Sequence, residues 1–333
     1  MTPERHRLLV ILPAYDESKT VGDVIGAIPK HIEGIDEISV LVVDDGSTDS
    51  TVEVARAAGA QVISHGTNLG VGAAMITGLR EALDQQVDFA VNIDADGQFN
   101  PLDIVTLLRP LLSGEAEFAT ASRFADRALV PRMPVAKRFG NAVMSWLASS
   151  ITRRKFYDVS CGFRAYTRES LMRLFLHGRF TYTQEMILAL CFAGVRVVEV
   201  PIKVRGVREH GRSRVAGNLF AYGVKALGIL FSSVRDYRPG LFFNSVAAAL
   251  FLISLGLTTF FLWHRITTGV FSPHLWAGFS GAFMFWLGVT AFLMGQVAMM
   301  LSRQRLLQEE QLYISRKSLL RRGEVGAEPG DRT

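Results

Sequence analysis

Residues 89–98 read Phe-Ala-Val-Asn-Ile-Asp-Ala-Asp-Gly-Gln, an apolar run closing on two acids one position apart, Asp94 and Asp96. A short apolar stretch with a polar boundary is the pattern of a buried strand. Side chains alternate faces along a strand, so positions i and i+2 project the same way, and both carboxylates are expected to leave the core at nearly one point. Carboxylates held that close repel unless a cation lies between them. Oxygen ligands with room for phosphate oxygens suit Mg²⁺ or Mn²⁺. Taken alone, the pair reads more readily as the start of a turn before Pro101, and two other segments overturn that reading.

Residues 8–12, Leu-Leu-Val-Ile-Leu, run into Pro13-Ala14-Tyr15-Asp16-Glu17, and the apolar residues 38–43 run into Asp44-Asp45-Gly46-Ser47-Thr48-Asp49. All three acidic segments follow β-rich runs and precede helical patterns. In an open α/β sheet that edge is where ligands bind. Ser47, Thr48 and Asp49 are expected to cap the helix through Val54 and Ala58, which leaves Asp44 and Asp45 unexplained by capping. A stacking aromatic, acceptors for a base and ribose, and a metal-binding pair together describe a nucleotide-diphosphate site.

The motifs PAYDE (13–17), VDDGSTDST (43–51), NLGVGAA (68–74), DADGQ (94–98), ASRF (121–124), DVSCGFRAY (158–166) and GRSR (211–214) occur in this order. With them the chain resembles the family 2 inverting glycosyltransferases of GT-A fold, within them the polyprenyl-phosphate sugar synthases of dolichyl-phosphate mannose synthase type. The resemblance covers about residues 8–237 and implies an α/β, mostly parallel sheet. It also implies metal-dependent, inverting transfer of a hexose from GDP-mannose or UDP-glucose to a polyprenyl phosphate. Pro13, Tyr15, Glu17, Val43 and Asp45 match the family's base and ribose contacts. Asp94, Ala95 and Asp96 match its diphosphate-metal segment, with Gln98 a further metal ligand. Arg123 matches an arginine on the sugar nucleotide or the acceptor phosphate, and Arg208 and Arg214 match basic residues near the diphosphate. The chain departs from the pattern at Arg214, where the family has lysine.

The 333 residues are 49% hydrophobic with a mean hydropathy of +0.24, and the apolar excess is local. Residues 241–263 and 275–301 carry no charge, and each exceeds the ~20 residues that span a hydrocarbon core. Arg235 and Arg238 precede the first; Arg303, Arg305, Arg316 and Lys317 follow the second; the loop between holds only Arg265. Positive-inside bias places both ends in the cytoplasm of a two-span cell-membrane protein. The N-terminal apolar run is too short for a signal peptide and serves as a strand. The expected organisation is a GT-A domain over 1–212, an amphipathic interface helix over 213–237, two spans within 238–303, and a cytoplasmic basic tail over 304–333, unfolded from about 321.

Lys and Arg number 36 against 31 Asp and Glu, and the pI is about 9.3. The basic residues cluster near membrane-proximal segments, which points to a lipid bilayer and away from nucleic acid. Arg132, Lys137, Arg138, Arg153, Arg154 and Lys155 flank Val135, Phe139, Val143, Trp146, Leu147 and Ile151 at helical spacing. Over 134–151 this fits either a helix on an anionic membrane surface or one packed on its own domain. Arg138 there is expected to join Arg123 around the acceptor phosphate. A lipid phosphomonoester arrives largely as a dianion, so it needs a cationic cradle rather than a general base. Asp158 and Glu185 lie on the expected acceptor side, with Arg164 pairing one of them. Cys161 and Cys191 lack metal-ligand spacing and are expected to be free thiols.

Helices are expected at 21–27, 51–58, 70–83, 101–112 and 184–193, and strands at 8–12, 39–43, 61–64, 88–93, 118–122 and 196–200. Gly70-Val71-Gly72 has no third glycine in register, which argues against a dinucleotide fingerprint. A transferase acting on another lipid or on a polysaccharide and a non-catalytic membrane scaffold are the competing readings. Against a processive synthase, none of Trp146, Trp263, Trp276 and Trp286 follows an arginine. Homo-oligomerisation is left open.

Overall fold

The computed structural model describes residues 5–131, 133, 135–175, 182–205, 235 and 238–326. The chain divides into two compact units, Met1–Ala226 with Leu312–Thr333, and Leu227–Gln311.

In the first unit the described residues form one seven-stranded sheet. Its strands are β1 (Arg7–Ala14), β2 (Glu37–Asp44), β3 (Gln61–Ser64), β4 (Phe89–Asn92), β5 (Phe118–Ser122), β6 (Arg164–Thr167) and β7 (Val197–Pro201). The order is β3-β2-β1-β4-β6-β5-β7. Every neighbouring pair is parallel except those of β6, which runs antiparallel to β4 and β5. The alternation of strand and helix foretold the parallel part. It did not foretell β6, because Arg164 interrupts the apolar pattern there; its side chain is fully buried.

Register places the functional edge. Ala14 pairs with Asp44, Asp44 with Ser64, and Ile11 with Asn92. The residues that follow β1, β2 and β4 therefore leave the sheet side by side. Helices α1 (Val21–Gly26), α2 (Thr51–Ala57), α3 (Val71–Asp84) and α4 (Ile104–Leu112) follow the first strands. In α4, Ile104, Leu107, Leu108 and Leu111 recur at helical spacing and are all buried. Each such side chain contributes about 1.5–3 kcal/mol of burial. Leu8, Val10, Leu12, Val42, Val91 and Ala119 meet them in the core. Further on come α5 (Val135–Thr152), α6 (Arg168–Met172) and α7 (Tyr182–Phe192).

The second unit is a hairpin of α8 (Pro239–Thr268) and most of α9 (Leu275–Gly326). Both helices are long and apolar enough to cross a membrane, and only 11% of each apolar window is buried. A core helix of a soluble protein would be covered on most sides, so these are not core helices. Glycines on α9 admit bulky partners: a Cβ at Gly288 would lie 2.7 Å from the Phe251 ring, and one at Gly295 2.8 Å from Phe243. Ser254 Oγ donates to the Gly281 carbonyl at 2.7 Å. Small residues at such contacts are what let helix backbones approach closely within a bilayer.

Helix α9 continues to Gly326, past the point where the sequence suggested an unfolded tail. Its last part belongs to the first unit. There Tyr313 donates its hydroxyl to Glu169 at 2.7 Å, and Arg316 donates to the carbonyls of Met172 and Leu174. The interface helix expected over 213–237 lies outside the described residues but for Arg235.

Candidate active site

The loop after β1 is tied to its neighbours by hydrogen bonds that run between the three acidic segments. The Asp16 amide donates to Ser47 Oγ at 2.9 Å, and Asp16 Oδ1 accepts from the Thr48 amide at 2.8 Å. Asp16 adopts φ +53°. The Glu17 amide donates to Thr51 Oγ1, and Thr20 Oγ1 donates to the Ala95 carbonyl at 2.8 Å. Capping of α2 by Ser47 and Thr48 is therefore corrected: the N-cap is Ser50, while the Ser47 hydroxyl serves Asp16 and Asp44 and the Thr48 hydroxyl donates to Asp16 Oδ1 at 3.3 Å. Asp49 accepts from the Thr51 amide at 3.0 Å.

Pro13 and Val43 are buried partners across the β1–β2 ladder, and Tyr15 beyond them is half-buried. Asp44 and Asp45 are 1% and 3% exposed. Asp45 Oδ1 accepts from the Leu69 amide at 2.9 Å and meets His65 Nδ1 at 3.0 Å, while Oδ2 accepts from the Gly70 amide at 2.7 Å. Asp44 accepts from the Ser47 amide and the Ser64 hydroxyl. Burial alone would raise its pKa, but those hydrogen bonds together outweigh burial and lower it. Gly46 lies at φ +78°, and a Cβ there would sit 2.5 Å from the Thr67 carbonyl carbon, so no other residue fits this turn.

Strand β4 ends at Asn92, so Asp94 and Asp96 lie in the turn beyond it and strand alternation does not govern them. Asp96 is 4% exposed and accepts from the Gln98 amide at 3.0 Å. Ala95 is buried, and the Gln98 carbonyl accepts from the Arg205 amide. Asp94 lies against Gly162, where a Cβ would stand 3.1 Å from Oδ2. Among the described residues no group of three His, Cys, Asp or Glu side chains could enclose a metal. Two carboxylates beside an open edge still fit Mg²⁺ or Mn²⁺, ions held by one or two carboxylates plus substrate phosphates.

Arg123, just past β5, is held by Asp158 through Nε at 2.6 Å and Nη2 at 2.8 Å, with Nη2 also reaching Ser160 Oγ at 2.7 Å. Its Nη1 has no hydrogen-bond partner among the described residues. Burial works against the Arg123 charge, but the hydrogen bonds and charge of Asp158, with a smaller contribution from Asp94, raise its pKa. The Asp158 amide donates to Glu199 at 2.7 Å and the Tyr157 amide at 2.8 Å. Burial raises the Glu199 pKa.

Arg164 pairs with neither Asp158 nor Glu185, contrary to the sequence expectation. It donates to the carbonyls of Cys161, Val159 and Thr183, because Asp158 is already taken by Arg123. Glu185 is half-buried in the first turn of α7. Cys161 and Cys191 are free thiols, and burial pushes them up to about 12 and about 11, so neither is a thiolate at neutral pH. Arg208 and Arg214 lie outside the described residues.

Arg138 is exposed on α5. This helix carries large apolar side chains on its outer face: Val135, Phe139 and Trp146 are 82%, 70% and 66% exposed, whereas Asn141 and Ser145 are 7% and 3%. Met144, Ala148 and Ile151 complete the inner face. Of the apolar set read from the sequence, only Ile151 turns fully inward. Sequence reasoning missed Asn141, Ser160 and Glu199. Glu199 carries a usable signal, being the one charged residue in the strand Val-Val-Glu-Val-Pro.

Among solved structures, glucosyl-3-phosphoglycerate synthase from Mycobacterium tuberculosis, in complex with Mn²⁺, UDP and phosphoglyceric acid, matches with a TM-score of 0.52 at 24% identity. The match covers 69% of this chain and 78% of that one, and shows a shared GT-A fold. Undecaprenyl-phosphate mannosyltransferase of Micrococcus luteus is 29% identical over 66% of this chain and 91% of its own length. Polyprenol monophosphomannose synthase of Mycolicibacterium smegmatis is 29% identical over 64% and 82%. The UDP-N-acetylglucosamine–dolichyl-phosphate N-acetylglucosaminyltransferase of Methanococcus voltae is 28% identical over 59% and 84%. The model of glycosyl transferase family 2 matches residues 9–175, half of the chain, and with the acidic sheet edge and the Arg123 site inside that span, the chain belongs to this family of glycosyltransferases.

Proposed function

We propose that the protein transfers a hexose from a nucleotide sugar, GDP-mannose or UDP-glucose, to a polyprenyl phosphate at the cytoplasmic face of the cell membrane, with inversion. The observation that carries this reading is the Arg123 guanidinium. Asp158 occupies one edge of it, and Nη1 remains for an anion beside the acidic turn. An arginine fixed on one edge by a carboxylate presents its other N–H groups in a set direction, which suits a phosphate oxygen. The names of the relatives acting on polyprenyl or dolichyl phosphates support the acceptor class.

Asp94 and Asp96 would hold Mg²⁺ or Mn²⁺, with Gln98 as a further ligand; such an ion supplies charge stabilisation for the departing diphosphate. Pro13, Tyr15, Glu17 and Val43 would border the base and ribose, with Asp45 shaping that pocket from beneath. Arg208 and Arg214 would approach the diphosphate. The acceptor phosphate, a dianion near neutral pH, attacks without a general base, and Arg123 with Arg138 would orient it. The exposed Phe139 and Trp146 beside Arg138 suit a helix lying in a lipid headgroup layer.

The test incubates membranes holding the protein with a panel of radiolabelled nucleotide sugars and extracts the lipid phase. Acid-labile label in a polyprenyl-phosphate fraction is the expected result. Label confined to polysaccharide or to the aqueous phase would reject the acceptor.

A further inference from the structure

Arg123 is joined to α5 by a chain of hydrogen bonds whose directions are fixed. The Tyr157 carbonyl only accepts, so the group facing it at 2.9 Å is the Asn141 amide nitrogen. Asn141 Oδ1 is therefore turned to Ser160 Oγ at 2.8 Å, and it takes the hydroxyl proton over Asp158 Oδ1, which lies farther off at 3.2 Å. Having given its proton to Asn141, Ser160 presents lone pairs to Arg123 Nη2 at 2.7 Å. Asn141 is 7% exposed and lies on the inner face of the helix whose outer face carries Phe139 and Trp146. A buried asparagine at an inward position costs free energy unless its amide is satisfied, and here both ends of the amide are used.

We propose that Asn141 and Ser160 are positioning residues through which the seating of α5 sets the Arg123 guanidinium for the acceptor phosphate. The inference rests on the acceptor reading given above. Asp158 fixes the guanidinium to the loop after β5. Ser160 and Asn141 add a link to the helix that bears Arg138, so the two cations keep a common frame. The donor side is built from the loops after β1, β2 and β4, which are tied to one another by their own hydrogen bonds, and Asp94 acts on Arg123 through its charge.

The experiment uses the full-length protein in detergent with a short-chain polyprenyl phosphate and the donor identified by the label panel. Ser160→Ala and Asn141→Ala are each expected to lower kcat/KM for the acceptor roughly tenfold, the worth of one hydrogen bond to a charged group. Donor affinity, measured by calorimetry, should stay unchanged. Ser160→Thr, which keeps the hydroxyl, should restore transfer, and the double variant should be no worse than Asn141→Ala. If Asn141→Ala fails to fold, the Ser160→Ala and Ser160→Thr pair decides. Full transfer by Ser160→Ala, additive losses in the double variant, or a parallel loss of donor affinity would each overturn the inference. An unmodified protein that labels no polyprenyl phosphate removes the acceptor reading and this inference together, whereas an active protein with indifferent variants removes only the inference.

Discussion

The Gly70 amide donates to Asp45 Oδ2 at 2.7 Å, so an acid at the end of β2 fixes the N-terminal end of α3, 25 residues later. With the Leu69 amide and His65 on Oδ1, both carboxylate oxygens are spent within the protein. Asp45→Ala is expected to leave two N–H groups short of a partner and to cost on the order of 2–3 kcal/mol, read as a clear fall in Tm in detergent. Asp45→Asn, which keeps one accepting oxygen, should fall between. Tyr15→Ala should instead raise donor KM with little change in Tm, since it removes ground-state and transition-state binding equally. An unchanged Tm in Asp45→Ala would show that residues 65–70 hold their place without it.

Asp96→Ala should lower turnover at least ~10²-fold at saturating donor, the usual cost of removing charge stabilisation at a departing group. Gln98→Ala should be milder, because Gln98 meets Asp96 through its backbone amide, which alanine keeps. Initial rates with Mg²⁺ or Mn²⁺ and with a chelator check both. Near-normal turnover of Asp96→Ala in chelator would reject the metal.

Gly162→Ala places a methyl group 3.1 Å from Asp94 Oδ2, so the carboxylate or the segment must yield by a few tenths of an ångström. Displacements within a catalytic constellation cost up to about 10²-fold. Turnover is expected to fall while Tm changes little. A Tm fall with full specific activity would make Gly162 a packing residue only.

Arg123→Lys should lose most transfer, because an ammonium cannot hold both Asp158 oxygens in a planar fork and still offer a directed N–H. Arg138→Ala should impair transfer less than Arg123→Ala and leave donor affinity intact. Calorimetric loss of donor binding in Arg138→Ala would move that residue to the nucleotide side.

Glu199 gives a pH dependence. Burial raises its pKa above the ordinary 4.5, so the folded state prefers the protonated form. Its favourable contribution is complete below pH 4.5 and is lost as pH rises through the folded-state value. Glu199→Gln should flatten this part of the Tm–pH curve above pH 4.5. It should also weaken the clamp on the Tyr157 and Asp158 amides, since one oxygen then replaces two. A variant curve parallel to that of the unmodified protein would exclude Glu199 as the source.

What was legible in the sequence follows from locality. Residues 8–12, 38–43 and 89–93 are apolar runs closed by acids, and the expected strands formed where those patterns stood. That the ends of β1, β2 and β4 share one edge follows from their being parallel strands joined by helical crossovers. Strand β6 was hidden because its burial of Arg164 depends on carbonyls from Cys161, Val159 and Thr183, the last of them 19 residues away in the chain. The partner of Asp158 was likewise non-local, since Arg123 lies 35 residues away. Capping failed as an account of Ser47 and Thr48 because Asp16, 31 and 32 residues earlier, competes for them.

The apolar outer face of α5 has a bearing on handling. Phe139 and Trp146 stand out from the domain itself, not from the hairpin, so deleting only the apolar hairpin would not yield a freely soluble enzyme. The shortened protein is expected to self-associate in plain buffer and to co-sediment with acidic phospholipid vesicles, until Phe139 and Trp146 are exchanged for hydrophilic residues.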